Sequence, residues 1–216
     1  MLNRVIILAN GQIEDLRFYR NIINDEDFII CANGGTYLAF LLGITPDMII
    51  GDIDSIDKNM VKQLQRRNTD LIFKKYPKDK DKSDLELAID DAVLLNPGEI
   101  IVLAALGGRI DHELINIFLP LSRKEYLNKI KFLSQDSELY ILDKKTKING
   151  RKDKILTLVP LTPHVKNVLT NGLRYEIKNK DINWGSSLTL SNIIVKDEVS
   201  IEYKKGMLLA VLHASH

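Results

Sequence analysis

Two aspartates separated by one residue, Asp52 and Asp54, directly follow a short apolar run of the sequence. The run at 48–50 is typical of the end of a buried strand, and Gly51 lets the backbone leave that strand in a conformation that other residues resist. Ligands bind at the carboxyl ends of the strands in an open α/β sheet, and two carboxylates there favour a hard cation such as Mg²⁺ holding phosphate oxygens. A plain turn is the alternative, because Asp and Ser are ordinary turn residues.

A second acidic cluster follows about thirty residues later and consists of Asp79, Asp81 and Asp84. Ser83, with Glu86 three residues later, forms the pattern of a capping box, which predicts a helix start at Ser83 with Asp84 in the first turn. The helix macrodipole alone favours an acid at that position, and the alternating Lys and Asp residues are also compatible with a solvated loop. Two such clusters at predicted strand-to-helix transitions favour a shared metal and phosphate site.

Two further predicted strands, at 27–32 and 99–106, end in paired glycines that could let backbone N–H groups approach phosphate closely. These strand ends supply Asn33, Gly34, Gly35, Gly107 and Gly108. The guanidinium of Arg109 could hold phosphate oxygens, and Asp111 could orient a hydroxyl or a metal-bound water. Turn formation is the alternative meaning of the glycines, and Asp111 could also cap a helix that begins at His112.

Composition excludes several classes of protein. The 216 residues, 45% of them hydrophobic, suffice for one large domain or two small ones. Because 30 Lys and Arg balance 29 Asp and Glu, the charge does not indicate nucleic-acid binding, and a small ligand is expected. Cys31 is the single cysteine, so an intramolecular disulfide framework and a cysteine-rich zinc site are excluded. The longest N-terminal apolar run, at 5–9, is too short for a signal sequence or a membrane span, so we expect no membrane association and a cytoplasmic location.

The order of apolar patterns predicts two domains. Short apolar runs alternate with helical spacing up to about residue 126, which is typical of an α/β domain with a mainly parallel sheet. Later runs, at 155–159, 173–177 and 199–203, are β-rich, and the last of them leads into an apolar run at 207–212 as in a hairpin. This change predicts an all-β sandwich. We therefore divide the chain into residues 1–130 and 131–216.

Six motifs occur in order over nearly the whole length. They are Ala-Asn-Gly-Gly at 32–35, Gly-Asp-Ile-Asp-Ser at 51–55, Asp-Lys-Asp-Lys-Ser-Asp at 79–84, Gly-Gly-Arg-Ile-Asp-His at 107–112, Asn-Gly-Leu-Arg-Tyr at 171–175 and Gly-Ser-Ser-Leu-Thr-Leu-Ser-Asn at 185–192. Together they resemble the motifs of the bacterial thiamine pyrophosphokinases. The resemblance implies an enzyme, a thiamine diphosphokinase, that transfers a diphosphoryl group from ATP to the hydroxyl of thiamine and releases AMP.

The resemblance also implies Mg²⁺ as cofactor and a homodimer. Each site would lie between the α/β ATP- and Mg²⁺-binding catalytic domain of one subunit and the β-sandwich thiamine-binding domain of the other. The candidate metal ligands are Asp52, Asp54 and Asp84, with Asp79 and Asp81 as further or water-mediated ligands. The candidate nucleotide-binding residues are Asn33, Gly34, Gly35, Gly107, Gly108 and Arg109. The candidate thiamine-binding residues are Asp111, Tyr175, Ser191 and Asn192, and the candidate catalytic residues are Asp54, Asp84, Arg109 and Asp111.

Two positions depart from the family pattern. Asn33 stands where the family usually has Asp, and an amide accepts a hydrogen bond but adds no negative charge to a metal site. Tyr175 stands where the family often has Trp, so the packing role would be kept with less ring area. The role of Trp184, the only tryptophan, stays open between core and substrate platform.

Two other functions compete with this interpretation. A phosphatase with an aspartyl nucleophile has a similar Asp-x-Asp motif after a strand, but the motif usually lies on the first strand, whereas two predicted strands precede it here. A non-catalytic module that senses a nucleotide or thiamine would be compatible with reduced metal affinity at Asn33.

Overall fold

The computed structural model describes residues 2–13 and 15–213 of the chain. The chain divides into two compact units, Met1–Gln135 and Asp136–His216. The predicted boundary between residues 130 and 131 falls within a strand of the first unit, Ile130–Leu133. The roles assigned to the two parts stay predictions.

In the described residues, the first unit alternates strands with helices. Its strands are β1 (Arg4–Leu8), β2 (Phe28–Ala32), β3 (Met48–Gly51), β4 (Ile72–Lys75), β5 (Glu99–Leu103) and β6 (Ile130–Leu133). Its helices are α1 (Leu16–Ile22), α2 (Gly35–Leu42), α3 (Lys58–Arg67), α4 (Asp84–Leu94) and α5 (Ile110–Phe118). Short 3₁₀ turns lie at Ile53–Ser55, Leu119–Ser122 and Lys124–Tyr126.

The six strands form a sheet in the order β6-β5-β1-β2-β3-β4, and each neighbouring pair is parallel. Strands β1, β2 and β5 are buried along nearly their whole length rather than at alternate positions. This pattern is typical of a parallel sheet whose two faces are both covered by helices. Ile6, Cys31 and Leu103, from these three strands, belong to one hydrophobic core. The predicted α/β domain with a mainly parallel sheet is confirmed.

The ends of two helices test the sequence patterns directly. Helix α4 begins after Ser83, whose side chain accepts a hydrogen bond from the backbone N–H of Glu86, as the capping pattern predicts. Helix α5 begins at Ile110, so the alternative in which Asp111 caps a helix starting at His112 is wrong, and Asp111 lies in the first turn. Helical spacing continues beyond residue 118, but Pro120 lies in a 3₁₀ turn there, since proline lacks the N–H that an α-helix needs.

The second unit is built from antiparallel strands. These are β7 (Ser137–Ile141), β8 (Lys145–Asn149), β9 (Ile155–Pro160), β10 (His164–Asn171), β11 (Lys180–Asn183), β12 (Asn192–Ile193), β13 (Glu198–Glu202) and β14 (Leu208–His213). Within this unit the strands are ordered β12-β9-β14-β7 and β11-β10-β13-β8. Side chains from both groups, including Leu158, Ala210, Val168 and Ile201, form one core. The predicted all-β sandwich is confirmed.

Two local predictions in the second unit are wrong. Residues 173–177 do not form a strand; they lie in a turn after β10, where Leu173 makes an isolated bridge to Ile194. Strands β13 and β14 do not form a hairpin, because β13 pairs with β8 and β10 whereas β14 pairs with β7 and β9. Residues 204–206 instead carry the chain from one sheet to the other. Two strands that follow each other in the chain can pair within one sheet or lie in two sheets that pack face to face. Their apolar pattern is the same in both cases, so the sequence does not distinguish a hairpin from a crossing between sheets.

None of the helices in the described part of the chain has the length and apolar composition needed to cross a membrane.

Candidate active site

A cleft of about 770 Å³ opens in the first unit at the carboxyl ends of β1 and β5. Strands β2, β3 and β4 follow β1 on one side, and β5 and β6 lie on its other side, so the strand order reverses at this point. Such a reversal is where open α/β sheets bind ligands, because the loops after the two strands diverge to opposite faces. The residues that line the cleft lie at or after the ends of β1, β2 and β5, on the loop and first turn that begin α4, and on α5. The fold therefore brings the predicted glycine-bearing strand ends to one place.

Glycines allow these strand ends to approach each other closely. A Cβ atom added at Gly35 would lie 1.9 Å from the carbonyl oxygen of Leu8, and one added at Gly11 would lie 2.4 Å from that of Ala104. A Cβ atom at Gly34 would lie 2.3 Å from Cγ of Asn10. These contacts are far below van der Waals distance, so any side chain would separate the loops. Gly34, Gly107 and Gly108 line the cleft, whereas Gly35 is buried beneath it.

Asp84 is held at the edge of the cleft by an amide. Asn33 donates from Nδ2 to Oδ2 of Asp84 at 3.1 Å, and its Oδ1 accepts from the hydroxyl of Ser55 at 3.1 Å. Asn33 has a φ of 44°, a left-handed conformation that Asn tolerates better than most residues. Asn33 is a donor toward Asp84, whereas a carboxylate at this position would place a second negative charge beside Asp84. The interpretation of Asn33 as a positioning group agrees with these contacts.

The other predicted metal ligands differ from Asp84 in exposure or in their partners. Asp54 sits on the 3₁₀ turn after β3, its side chain is 71% exposed, and its Oδ2 lies 2.5 Å from the ammonium of Lys75. Asp52 is half-buried, and its carbonyl oxygen accepts from the hydroxyl of Ser55. Asp79 and Asp81 are exposed and do not line the cleft. Among the residues that the structure describes, no three His, Cys, Asp or Glu side chains gather into a metal-binding group.

The surroundings of Asp84 fit Mg²⁺ nonetheless. Its Oδ1 atom is buried and accepts no hydrogen bond from the described residues, although the ammonium of Lys80 lies 2.9 Å away. A Cβ atom at Gly51 would come within 2.7 Å of this oxygen, so the glycine at the end of β3 makes room for the carboxylate. Mg²⁺ usually binds to one or two protein carboxylates and completes its shell with water and substrate phosphates. A site with Asp84 as its central protein ligand meets that requirement.

Arg109, which lines the cleft, forms an ion pair with Asp111, which does not line it. The guanidinium contacts both carboxylate oxygens, at 2.5 Å and 3.1 Å, and both side chains are exposed. The hydrogen bonds from Arg109 lower the pKa of Asp111 to about 2, and the same contact raises the pKa of Arg109. A carboxylate with such a low pKa stays ionised at neutral pH and is a weak base. Asp111 is thus better suited to orienting a hydroxyl than to removing its proton.

Several residues that line the cleft are absent from the sequence-based site. They include Asn10, Gln12, Lys78, Lys80 and Lys82. An Asn-Gly pair follows β1 just as one follows β2, so this pair after a buried strand is the signal that finds Asn10. The three lysines alternate with aspartates along one loop, and only the path of that loop decides which of them face the cleft.

The second unit contains three of the four predicted thiamine-binding residues, Tyr175, Ser191 and Asn192, whereas Asp111 lies in the first unit. Asn192 is 4% exposed, its Oδ1 accepts from the backbone N–H of Tyr175, and its Nδ2 donates to the carbonyl oxygen of Tyr175 at 2.7 Å. Ser191 adjoins it with a φ of 54°. The Tyr175 side chain is 70% exposed and Trp184 is 61% exposed. Asn192 therefore fixes the turn that presents Tyr175, and Trp184 is not a core residue.

Comparisons with known proteins match both units. The family model "Thiamin pyrophosphokinase, catalytic domain" matches residues 19–132, and "Thiamin pyrophosphokinase, vitamin B1 binding domain" matches residues 141–208. The chain belongs to the thiamin pyrophosphokinase family. It is 26% identical to the thiamine pyrophosphokinase of Bacillus subtilis (strain 168) over 97% of this chain and 98% of that protein. The Bacillus subtilis crystal structure superimposes with a TM-score of 0.86 at 25% identity and covers 99% of this chain and all of that one. The crystal structure of the thiamin pyrophosphokinase of Geobacillus thermodenitrificans superimposes with a TM-score of 0.84 at 26% identity and covers 98% of this chain and 98% of that one.

Membership of the thiamin pyrophosphokinase family confirms the predicted enzyme class. Family members are thiamine diphosphokinases, so ATP-dependent diphosphorylation of thiamine is the function of the chain. The two competing functions, an aspartyl phosphatase and a non-catalytic sensing module, receive no support from these matches. The roles of individual residues, the identity of the metal and the assembly stay predictions.

Proposed function

We propose that the cleft binds Mg²⁺-ATP, with Asp84 as the central metal ligand and the loops after β1, β2 and β5 around the phosphates. The observation that carries this assignment is the buried Oδ1 of Asp84, which faces Gly51 at the edge of the cleft. Asp52 and Asp54 lie on the adjoining turn, and Asp79 and Asp81 precede Asp84 on its loop. We assign Asp52 and Asp54 to the same ion, and Asp79 and Asp81 to water-mediated contacts.

The backbone and the basic side chains of the cleft hold the triphosphate. The glycines at 34–35 and 107–108 admit phosphate close to backbone N–H groups. Arg109 contacts Asp111 through Nε and Nη2, so its Nη1 atom is the donor that would hold a phosphate oxygen. Bound Mg²⁺ would neutralise charge on the phosphate oxygens during transfer.

The reaction exchanges one bond to phosphorus for another. The hydroxyl oxygen of thiamine forms a bond to the β-phosphorus of ATP and its proton passes to solvent. The bond from that phosphorus to the oxygen bridging to the α-phosphorus breaks, and AMP leaves with that oxygen. Asp111, kept ionised by Arg109, accepts a hydrogen bond from the attacking hydroxyl and directs it. Positioning and charge neutralisation supply most of the catalysis in such a transfer.

We further propose that Tyr175, Ser191 and Asn192 bind thiamine and that the enzyme is a homodimer with its sites between subunits. Each unit exposes large apolar side chains beside its candidate site residues. In the first unit these are Ile110, Leu114, Ile115 and Phe118 of α5, and in the second they are Tyr175, Trp184, Leu188 and Leu190. A contiguous group of exposed apolar residues often marks a surface that binds another molecule, whereas single exposed apolar residues are common on any protein. A cytoplasmic location stays a prediction.

The products of a single turnover test the proposed reaction. Thiamine and Mg²⁺-ATP should give thiamine diphosphate and AMP in equal amounts, and removal of Mg²⁺ with a chelator should stop the reaction. Chromatography of a quenched reaction separates the four candidate products. Formation of ADP and thiamine monophosphate first would overturn attack at the β-phosphorus.

A further inference from the structure

Two of the candidate metal carboxylates already contact an internal cation. The ammonium of Lys80 lies 2.9 Å from Oδ1 of Asp84, and the ammonium of Lys75 lies 2.5 Å from Oδ2 of Asp54. The two pairs differ in burial. The side chains of Lys80 and Asp84 are 15% and 24% exposed, whereas those of Lys75 and Asp54 are 59% and 71% exposed. The Lys80 pair is therefore the less screened of the two.

Lys80 contacts the same oxygen that the proposed metal assignment gives to Mg²⁺. The other oxygen of Asp84, Oδ2, is engaged by the amide of Asn33, so Oδ1 is the atom left for a cation. A Cβ atom at Gly51 would come within 2.7 Å of that oxygen, and the ammonium of Lys80 lies 2.9 Å from it. Mg²⁺ needs its oxygen ligand at about 2.0–2.1 Å, so an ammonium 2.9 Å from that oxygen would have to move away before the ion could bind.

Lys80 has a second destination within reach. It lines the cleft that the phosphates would enter, and its ammonium also contacts the carbonyl oxygen of Pro77 at 3.2 Å. Lysine carries a compact charge on a flexible four-carbon stem, so it can change partners without backbone movement.

We propose that Lys80 is a phosphate-positioning residue that exchanges partners. It pairs with Asp84 until Mg²⁺ takes that carboxylate, and it then binds an oxygen of the triphosphate. This inference rests on the proposed assignment of Asp84 to the metal. While Lys80 pairs with Asp84, free Mg²⁺ binds weakly to that carboxylate. When a triphosphate is present, Lys80 can bind a phosphate oxygen instead, and binding of Mg²⁺ to Asp84 becomes favourable.

The test measures binding rather than turnover. Mn²⁺ is titrated into the protein without nucleotide and its free concentration is followed by electron paramagnetic resonance. The variant Lys80→Met should bind Mn²⁺ about fivefold more tightly than the wild type, because the competing charge is gone. The same variant should bind an α,β-methylene analogue of ATP in Mg²⁺ about tenfold more weakly, because a charge-assisted contact to phosphate is lost.

Matched variants separate this role from a general loss of charge. Lys82→Met removes a lysine from the same loop and the same cleft, but the ammonium of Lys82 pairs with Asp90 at 2.8 Å, so Mn²⁺ affinity should not change. Lys75→Met should change the Mn²⁺ affinity by less than about twofold, because the ion pair of Lys75 and Asp54 is exposed to solvent.

Asp84→Asn distinguishes the two ways in which the inference can fail. If this variant binds Mn²⁺ as the wild type does, the assignment of Asp84 to the metal is wrong and the exchange fails with it. If Asp84→Asn loses Mn²⁺ but Lys80→Met binds it no more tightly than Lys82→Met, the metal assignment stands and only the exchange is overturned. Tighter Mn²⁺ binding by Lys80→Met with unchanged analogue affinity would overturn the transfer of the lysine to phosphate.

Discussion

At the scale of single residues, the ion pair of Arg109 and Asp111 sets the protonation state of a candidate catalytic group. A carboxylate whose pKa is lowered to about 2 is ionised above that value and becomes protonated only as the pH falls through it. Asp111 therefore keeps its charge over the whole range in which the enzyme would be assayed, about pH 5 to pH 9.

The pH dependence of Asp111→Asn follows from this state. The variant should have a lower kcat/KM than the wild type at every pH. The acidic limb of its pH–rate profile should stay where it is in the wild type, because that limb belongs to another group. Rate measurements on the wild type and the variant over the same pH range check this. Loss of the acidic limb in Asp111→Asn alone would show that Asp111 titrates within the measured pH range and acts as a base, which contradicts its lowered pKa.

At the scale of elements, the two ends of α2 place different demands on glycine. Gly35 begins the helix beneath the cleft, and a Cβ atom there would lie 1.9 Å from the carbonyl oxygen of Leu8. Gly43 ends the same helix with a φ of 67°, and a Cβ atom there would meet nothing within 4 Å. A side chain at position 35 is therefore excluded by the neighbouring strand β1, whereas at position 43 it is disfavoured only by the left-handed backbone conformation.

Alanine substitutions should separate these restrictions. Gly35→Ala should lower the free energy of unfolding by about 3 kcal/mol through overpacking against β1. Gly43→Ala should lower it by about 1 kcal/mol, the cost of a left-handed residue with a Cβ atom. Urea unfolding of both variants gives the comparison. Equal losses would mean that β1 and α2 do not approach each other as closely as the structure places them.

At the scale of the whole molecule, sites shared between subunits predict complementation. Asp54→Asn and Tyr175→Ala both change exposed side chains, so both variants should fold, and each should have low activity alone. A randomised mixture of the two chains should regain about a quarter of wild-type activity, because half of the dimers are mixed and each mixed dimer has one intact site of two. Activity after subunit exchange, with the mixed dimer isolated by two affinity tags, is the measurement. A mixed dimer without activity would place each site within one chain.

Local chemistry in the sequence determined much of the fold. Apolar runs without alternation specified the parallel sheet, and Ser83 with Glu86 specified the start of α4 and hence the position of Asp84. These features depend on hydrogen bonds and burial within a few residues, so a linear pattern contains them. The order of the six motifs along the chain likewise indicated the family.

Tertiary structure alone decided which side chains meet. Along the loop at 78–82 the lysines line the cleft and the aspartates do not, and Asp54 contacts Lys75 of the neighbouring strand. Strands β13 and β14 follow each other in the chain yet join different sheets. In each case the outcome depends on the path of the backbone between elements and on partners distant in sequence. An alternating pattern of residue types does not say which face of a loop or strand will be buried. These contacts are therefore decided only when the sheets have assembled.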